Sequence, residues 1–206
     1  MSKNTIDTII FDLGGVLIDW NPQYLFKKLF DREEEMNYFF NNVATFDWNE
    51  QQDGGRLIVE ATKELVAQHP KYERFIRAYY GRWEEMLGGA NKEVVDILRQ
   101  LKASQKYNLY ALTNWSAETY PIAEERFEFL QWFDDVLVSG KEKLKKPDPK
   151  IYQLTLSRFN IDADKAIFID DNLRNVIAAE GVGIRSIHFS TAQQLRLLLQ
   201  QYNIIL

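Results

Sequence analysis

The chain has 206 residues, a formal net charge of −5 and no cysteine. Its length suits one well-packed domain, or a core domain with a smaller insert, and its 46% hydrophobic and 27% charged residues are typical of a soluble globular protein. The negative charge argues against nucleic-acid or anionic-membrane partners, and the lack of cysteine excludes disulfides, thiolate zinc sites and cysteine nucleophiles. Residues 1–7 lack the apolar segment of a signal peptide and no stretch approaches a membrane span, so we expect a cytoplasmic protein; the sequence does not predict its oligomeric state.

Apolar β-type runs alternate with amphipathic stretches through most of the chain, which is typical of a parallel sheet with crossover helices. We expect strands at residues 8–11, 108–112, 135–138, 166–169 and 185–188. Between them we expect helices at 93–104, 116–126, 149–159, 173–180 and 191–202. The predicted fold class is therefore α/β.

Residues 16–89 interrupt this alternation, because they are rich in aromatic, acidic and amide side chains and contain no convincing strand. Their apolar residues give faces for about four helices, which can bury one another as a small bundle. We therefore predict a helical insert at 16–89 within a core formed by residues 1–15 and 90–206.

The first candidate site residue is Asp12, which follows the buried strand at 8–11 and precedes Gly14 and Gly15. Open α/β sheets place their chemistry beyond the carboxyl ends of such strands, which favours a reactive carboxylate. The alternative is that Asp12 only forms a tight turn. The choice depends on what else in the chain converges on this residue.

Three more polar motifs follow predicted strands. Thr113 and Asn114 offer a hydroxyl and an amide suited to phosphate oxygens, or alternatively a helix cap. Lys146 lies in a proline-stiffened turn, where it would neutralise an anion and hold the Asp12 carboxylate, or alternatively remain solvated. Asp170 and Asp171 form a carboxylate pair, or alternatively a turn with helix capping.

All these strand ends face one crevice in a sheet of this type, so Asp12, Asp170 and Asp171 should crowd together. Clustered carboxylates repel and take up protons unless a cation lies among them. Oxygen ligands without nearby histidine or cysteine favour Mg²⁺ over zinc. A carboxylate, a hydroxyl, a lysine and a divalent ion together describe phosphoryl transfer to an aspartate.

The four motifs, in this order, resemble those of the haloacid dehalogenase superfamily of hydrolases, and the resemblance covers essentially the whole chain. It implies a Rossmann-like core and identifies the insert at 16–89 as a helical cap over the crevice. By this resemblance Asp12 is the nucleophile that forms an aspartyl-phosphate. Mg²⁺ would be held by Asp12, the Gly14 carbonyl and Asp171, with Asp170 a direct or water-mediated ligand. The phosphoryl group would be bound by Thr113, Asn114 and Lys146.

One position departs from the family pattern, because most of its phosphatases carry a general acid/base aspartate where this chain has Gly14. Such a group is typically worth about 10² to 10⁴ in rate. The chain also resembles the α-D-glucose-1-phosphate phosphatase subgroup, so we expect hydrolysis of a sugar phosphate or similar small phosphomonoester. The alternatives are a 2-haloacid dehalogenase, which needs no acid, and a noncatalytic phospho-ligand-binding protein. The carboxylates at 170 and 171 count against the dehalogenase, since they would repel a haloacid.

Substrate choice should lie in the cap, where residues 47–56 form a candidate loop facing the crevice. Trp48 in this loop would stack on a sugar ring, whereas the alternative is an ordinary interhelical connection. Trp20 and Trp115 flank motif residues and would wall the pocket, although packing between core and cap explains them equally well. Asp19 is a candidate substitute for the missing acid.

Overall fold

The computed structural model describes residues 5–205. Its strands and α-helices follow one another along the chain as β1 (Thr8–Phe11), β2 (Ile18–Trp20), α1 (Gln23–Phe26), α2 (Glu33–Asn42), α3 (Phe46–Asp53), α4 (Ile58–Gln68), α5 (Glu73–Gly81), β3 (Leu87–Ala90), α6 (Lys92–Ser104), β4 (Asn108–Thr113), α7 (Tyr120–Arg126), β5 (Asp135–Val138), α8 (Ser139–Glu142), α9 (Pro149–Arg158), β6 (Ala166–Asp170), α10 (Leu173–Gly181), β7 (Arg185–His188) and α11 (Ala192–Gln201). Short 3₁₀ turns occupy Pro70–Tyr72, Trp83–Met86, Glu128–Trp132 and Ala163–Lys165.

Five strands form a parallel sheet in the order β5-β4-β1-β6-β7, which confirms the α/β, Rossmann-like prediction. Every residue of the central strand β1 is buried, since helices cover both faces of such a sheet. Successive side chains point to opposite faces. Ile9 and Phe11 accordingly pack in one apolar cluster, whereas Ile10 packs with Leu112 and Phe168 in another.

The predicted elements of the core agree with the observed ones to within a residue or two, except at α7. That helix begins at Tyr120 rather than at residue 116. Ser116 instead opens a turn, in which its hydroxyl accepts a hydrogen bond from the Glu118 amide at 3.2 Å. Pro121 then lies in the first turn of the helix, a position that suits proline.

The cap, defined here as residues 16–89, is held together largely by aromatic packing. Phe26 lies at its centre, with its ring centroid 5.1 Å from that of Phe39 and 5.8 Å from that of Tyr79. Phe30 and Phe75 stack at 4.0 Å with an interplanar angle of 9°. These contacts show that most aromatic side chains of the cap are core residues. The exact boundaries of the cap stay a prediction.

The prediction that this segment contains no strand was wrong. β2 and β3 pair in an antiparallel two-stranded sheet where the chain enters and leaves the cap. Gly88 and Gly89 fall within β3, so its composition gives little strand signal. The pairing satisfies backbone groups of both connections between cap and core.

The prediction of a loop at residues 47–56 was also wrong, because Phe46–Asp53 forms helix α3. The Thr45 hydroxyl caps this helix by accepting a hydrogen bond from the Trp48 amide at 3.2 Å. Only the residues that follow, including Gly54 and Gly55, leave the helix. Among residues 5–205, no helix combines the length and the apolarity needed to cross a membrane.

Candidate active site

Lys146 joins the ends of three neighbouring segments at the carboxyl edge of the sheet. Its Nζ lies 2.9 Å from Oδ1 of Asp12 and 2.7 Å from Oδ2 of Asp170, and it donates a hydrogen bond to the Leu112 carbonyl at 2.9 Å. The lysine is fully buried and Asp12 is only 7% exposed. The structure therefore brings together residues from three of the four motifs around one ammonium group.

Asn114 fixes the backbone of Lys146 through two hydrogen bonds. Its Nδ2 donates to the Lys146 carbonyl at 2.9 Å, and its Oδ1 accepts from the Lys146 amide at 2.8 Å. The observed contact of Asn114 thus positions the lysine, and direct binding of a phosphoryl group by this amide stays a prediction.

Asp170 is fully enclosed by donors. Its carboxylate accepts hydrogen bonds from Lys146, from Nδ2 of Asn175 at 3.0 Å and from the Asn172 amide at 2.8 Å. Asp171 differs, because it is exposed and no lysine or arginine in the described range 5–205 pairs with its carboxylate. The two adjacent aspartates therefore have different surroundings.

Oxygen atoms of Asp12, Asp170 and Asp171 all lie within 4.8 Å of one another. Desolvation raises the pKa of Asp12 well above its usual value, and Asp170 adds to this rise although Lys146 opposes it. Desolvation and the charge of Asp170 also raise the pKa of Asp171. Burial alone would lower the pKa of Lys146, but Asp12 and Asp170 outweigh it and raise that pKa. One lysine does not neutralise three carboxylates.

The two glycines after Asp12 have different roles in this geometry. Gly15 has a φ of 76°, and a Cβ atom placed on it would lie 2.3 Å from Oδ2 of Asp171. The missing side chain thus lets the Asp171 carboxylate lie directly against the turn. A Cβ on Gly14 would meet nothing within 4 Å, so this position opens into free space.

The donor set fits a hard divalent cation such as Mg²⁺. It consists of oxygen ligands only and carries excess negative charge. The lack of a side chain on Gly15 also leaves the space that the Asp171 carboxylate occupies. Asp171 offers a carboxylate without a cationic partner in the part of the chain described. The Gly14 carbonyl belongs to the same turn.

Thr113 ends β4 with its side chain buried and its hydroxyl without a hydrogen-bond partner among the described residues. Buried hydroxyls are normally satisfied. The hydroxyl therefore has unused hydrogen-bonding capacity at this strand end. Thr113 is not among the described residues that line the cavity between core and cap, and its role in substrate binding stays a prediction.

A cavity of about 240 Å³ separates this site from the cap. Asp12, Gly14 and Asp171 line its core side, while Trp20 and Trp115 contribute to its walls. Trp20 and Trp115 thus lie where the sequence predicts them, and their contact with a substrate stays a prediction.

Trp48 does not line this cavity in residues 5–205, contrary to the expectation of a stacking platform. It is 7% exposed and packs edge-on against Tyr79 with ring centroids 5.2 Å apart, because its position on α3 turns it into the cap core. Asp19 is also outside the lining; it is exposed and accepts a hydrogen bond from Tyr24 at 2.7 Å.

The cap presents four polar residues to the cavity, namely Asn49, Glu50, Asp53 and Tyr80. The first three belong to the candidate segment 47–56, whose polar groups we expect to bind sugar hydroxyls, whereas the sequence did not single out Tyr80. Their helical spacing carries the signal, since positions 49, 50 and 53 share one face of a helix. Treating this segment as a loop concealed that pattern.

The cap is attached to the core close to these residues. The Ser139 hydroxyl donates to the Asp53 carbonyl at 2.5 Å, and the same oxygen accepts from the Trp115 amide at 2.9 Å. Glu50 forms ion pairs with Lys145 and with Arg174, the latter at 3.0 Å. The structure therefore describes a cap seated on the core.

A parallel sheet with a buried lysine–carboxylate cluster under a helical cap defines a hydrolase core of the haloacid dehalogenase type. The family model for haloacid dehalogenase-like hydrolases matches residues 6–183, and the chain belongs to this family. It is 28% identical over 198 residues to a sesquiterpene phosphatase of Aspergillus oryzae, covering 94% of this chain and 97% of the relative. It is 25% identical over 189 residues to a phosphorylated carbohydrates phosphatase of Thermotoga maritima, covering 89% of this chain and 84% of the relative.

The fold is also similar to that of a haloacid dehalogenase family enzyme of Bacteroides thetaiotaomicron, solved in complex with magnesium and inorganic phosphate. That similarity has a TM-score of 0.70 at 23% identity and covers 90% of this chain and 94% of the other.

Proposed function

We propose that this protein is a Mg²⁺-dependent phosphatase that hydrolyses a small phosphomonoester through an aspartyl-phosphate on Asp12. The observation that carries this proposal is the position of Asp12 on the floor of a capped cavity, between the Lys146 ammonium and the unpaired carboxylate of Asp171. The named phosphatases among its relatives support the same reaction class.

Asp12 is held for in-line attack by its own surroundings. Its Oδ1 accepts hydrogen bonds from the Leu13 amide at 2.7 Å and from Lys146, which fixes the orientation of the carboxylate. Attack on phosphorus would form the Asp12–phosphate bond as the bond to the leaving oxygen breaks. Lys146 would then neutralise charge on the transferring group, assisted by hydrogen bonds from Thr113 and Asn114.

The residues that would hold Mg²⁺ are Asp12, the Gly14 carbonyl and Asp171, with Asp170 bound directly or through water. When bound, the ion would neutralise the carboxylates and the phosphoryl oxygens so that both anions can approach. The cap would exclude bulk water while Asp12 reacts.

For the substrate we propose a sugar phosphate, with α-D-glucose 1-phosphate as an example. The cap contributes Asn49 and Tyr80, whose side chains form a hydrogen-bonded pair at 3.0 Å and suit the hydroxyl groups of a sugar. Trp20 and Trp115 provide flat walls of the kind on which sugar rings stack. The relative that acts on phosphorylated carbohydrates is consistent with this choice.

The test is phosphate release from a panel of sugar phosphates with Mg²⁺ and after chelation, using Asp12→Asn as the control. We expect release that depends on the metal and disappears in Asp12→Asn. Release that survives this substitution would contradict the proposed mechanism.

Two other results would select the alternatives. Chloride release from 2-chloropropionate without metal would indicate a dehalogenase, against which the carboxylates of Asp170 and Asp171 count. A phosphorylated ligand that raises the melting temperature without being hydrolysed would indicate a binding protein.

A further inference from the structure

The proposed hydrolysis needs a group that protonates the leaving oxygen, and Gly14 leaves that position without one. We propose that Asp53, on helix α3 of the cap, is the general acid and base of this reaction. This inference rests on the proposed function. It adds a catalytic residue from the opposite wall of the site.

Asp53 lines the same cavity as Asp12 and Gly14, and it does so from the cap. A Cβ on Gly14 would meet nothing within 4 Å, so the core leaves open space at the position where a family phosphatase carries its acid. Oδ2 of Asp53 accepts a hydrogen bond from Nδ2 of Asn49 at 3.2 Å. The Ser139 contact to its carbonyl fixes the residue to the core when the cap is seated.

The surroundings of Asp53 suit a group that both gives and takes a proton. Burial and the nearby charge of Glu50 raise its pKa to about 7, although Lys145 and the backbone amide of Ser116 oppose this rise. The phenols of Tyr79 and Tyr80 face it from helix α5, and both have raised pKa values and stay neutral. An acid with a pKa near neutrality is well matched to proton transfer in both directions.

The other acidic candidates are poorly placed. Asp19 is exposed and lies outside the cavity lining. Glu50 lines the cavity, but its carboxylate is already bound by both Lys145 and Arg174. Desolvation raises the pKa of Tyr80 beyond the range useful for catalysis near neutral pH. Asp53 is the remaining cap carboxyl group that lines the cavity in the described range.

Asp53 would act in both steps of the reaction. As Asp12 attacks phosphorus, the bond from phosphorus to the leaving oxygen breaks, and the proton of the Asp53 carboxyl group passes to that oxygen to give an alcohol. Water then attacks the phosphorus of the aspartyl-phosphate and gives its proton to the Asp53 carboxylate. Inorganic phosphate and free Asp12 result, and no further reactant is needed.

The leaving group provides the test. An alkyl leaving group, as in glucose 6-phosphate, needs the proton, whereas p-nitrophenolate leaves without it. In Asp53→Asn we expect kcat for the sugar phosphate to fall by about 10² to 10⁴. With p-nitrophenyl phosphate we expect a rapid burst of about one p-nitrophenol per active site and slow turnover afterwards, because the second step has lost its base.

Asp47→Asn is the matched control, since it makes the same change on the same helix at an exposed position outside the cavity lining. It should behave as the wild type. Asp53→Glu, which restores a carboxyl group, should recover part of the lost kcat if the chemistry rather than the fold was damaged.

Equal losses on both substrates without a burst, or no loss at all, would overturn the role of Asp53. In either case wild-type phosphate release would leave the proposed function intact. Absence of release by the wild type would overturn both proposals together.

Discussion

Lys146 Nζ lies within 3 Å of carboxylate oxygens from both Asp12 and Asp170, at 2.9 and 2.7 Å, and all three side chains are buried. A buried charge pair is costly to form, but removing one partner leaves the others unpaired. We therefore expect Lys146 to contribute to stability in addition to its proposed part in the chemistry.

Lys146→Met should lower the free energy of unfolding by about 3 to 5 kcal/mol. Burial already raises the pKa of Asp12 and Lys146 opposes that rise, so without the lysine Asp12 would take up a proton more readily and the loss should shrink as pH falls. Urea denaturation at several pH values measures both effects. The exposed Lys150, changed to Met in the same loop-to-helix region, should have little effect.

Gly15→Ala should abolish Mg²⁺ binding, because its Cβ would collide with the Asp171 carboxylate and its φ of 76° disfavours other residues. Isothermal titration calorimetry with Mg²⁺ checks this directly. Gly14→Ala is the control, since its Cβ meets nothing within 4 Å. Equal Mg²⁺ affinity in the two variants would contradict a metal site beside this turn.

Asp53 should make stability depend on pH. Its pKa of about 7 in the folded protein exceeds the ordinary value of 3.8, so the stabilising effect of its proton is complete below about pH 3.8 and is lost as pH rises through 7. Asp53→Asn carries no such loss. The variant should thus gain stability relative to the wild type between pH 4 and 8, by roughly 1.4 kcal/mol for each unit of pKa shift.

Thermal or chemical denaturation of both proteins across this pH range measures the difference. Asp47→Asn, the same change at an exposed position of the same helix, is the control for the substitution itself. A flat difference for Asp53→Asn would mean that the Asp53 carboxylate ionises normally.

Glu50→Gln should loosen the seating of the cap by removing the ion pairs to Lys145 and Arg174. Partly exposed pairs contribute about 0.2 to 1 kcal/mol each, so the loss of both should raise KM by roughly two- to thirtyfold. The difference from the wild type should diminish at about 1 M salt, where such pairs are screened. Glu64→Gln, which breaks a pair to Arg56 within the cap, should leave KM unchanged.

Gly14→Asp should restore part of the turnover lost in Asp53→Asn. The free space above Gly14 admits a side chain, and an aspartate there would offer a carboxyl group to the same leaving oxygen. Steady-state phosphate release by the double variant, compared with Asp53→Asn alone, measures the rescue. No recovery, with Mg²⁺ binding retained, would indicate that Asp53 acts in some way other than proton transfer.

Strand ends were the part of the site that the sequence predicted best. Local composition shows each apolar run that precedes Asp12, Thr113 and Asp170. Because parallel strands end at the same edge of a sheet, these runs are enough to predict that the three residues lie together. β2 and β3 were missed because they are short and are stabilised by pairing with each other across the cap.

The cap side of the site was harder to predict, because it depends on which face of α3 meets the core. A one-residue difference on a helix turns a side chain by about 100°, which separates the buried Trp48 from Asn49 on the cavity wall. Glycines after residue 53 and the polar composition made a helix look like a loop. Tertiary contacts such as the packing of Trp48 against Tyr79 mark the face of α3 that turns into the cap.

The Ser139 hydroxyl, bonded both to the Asp53 carbonyl and to the Trp115 amide, ties the proton-transfer group to the nucleophile's half of the molecule. Asp53 belongs to the cap and Asp12 to the core, and the Glu50 ion pairs cross the same junction. Under the proposed mechanism, a molecule too bulky to let the cap seat would be bound but left intact, so discrimination would reach kcat as well as KM. The junction that Ser139 helps to form would thus couple the fit of a substrate to its conversion.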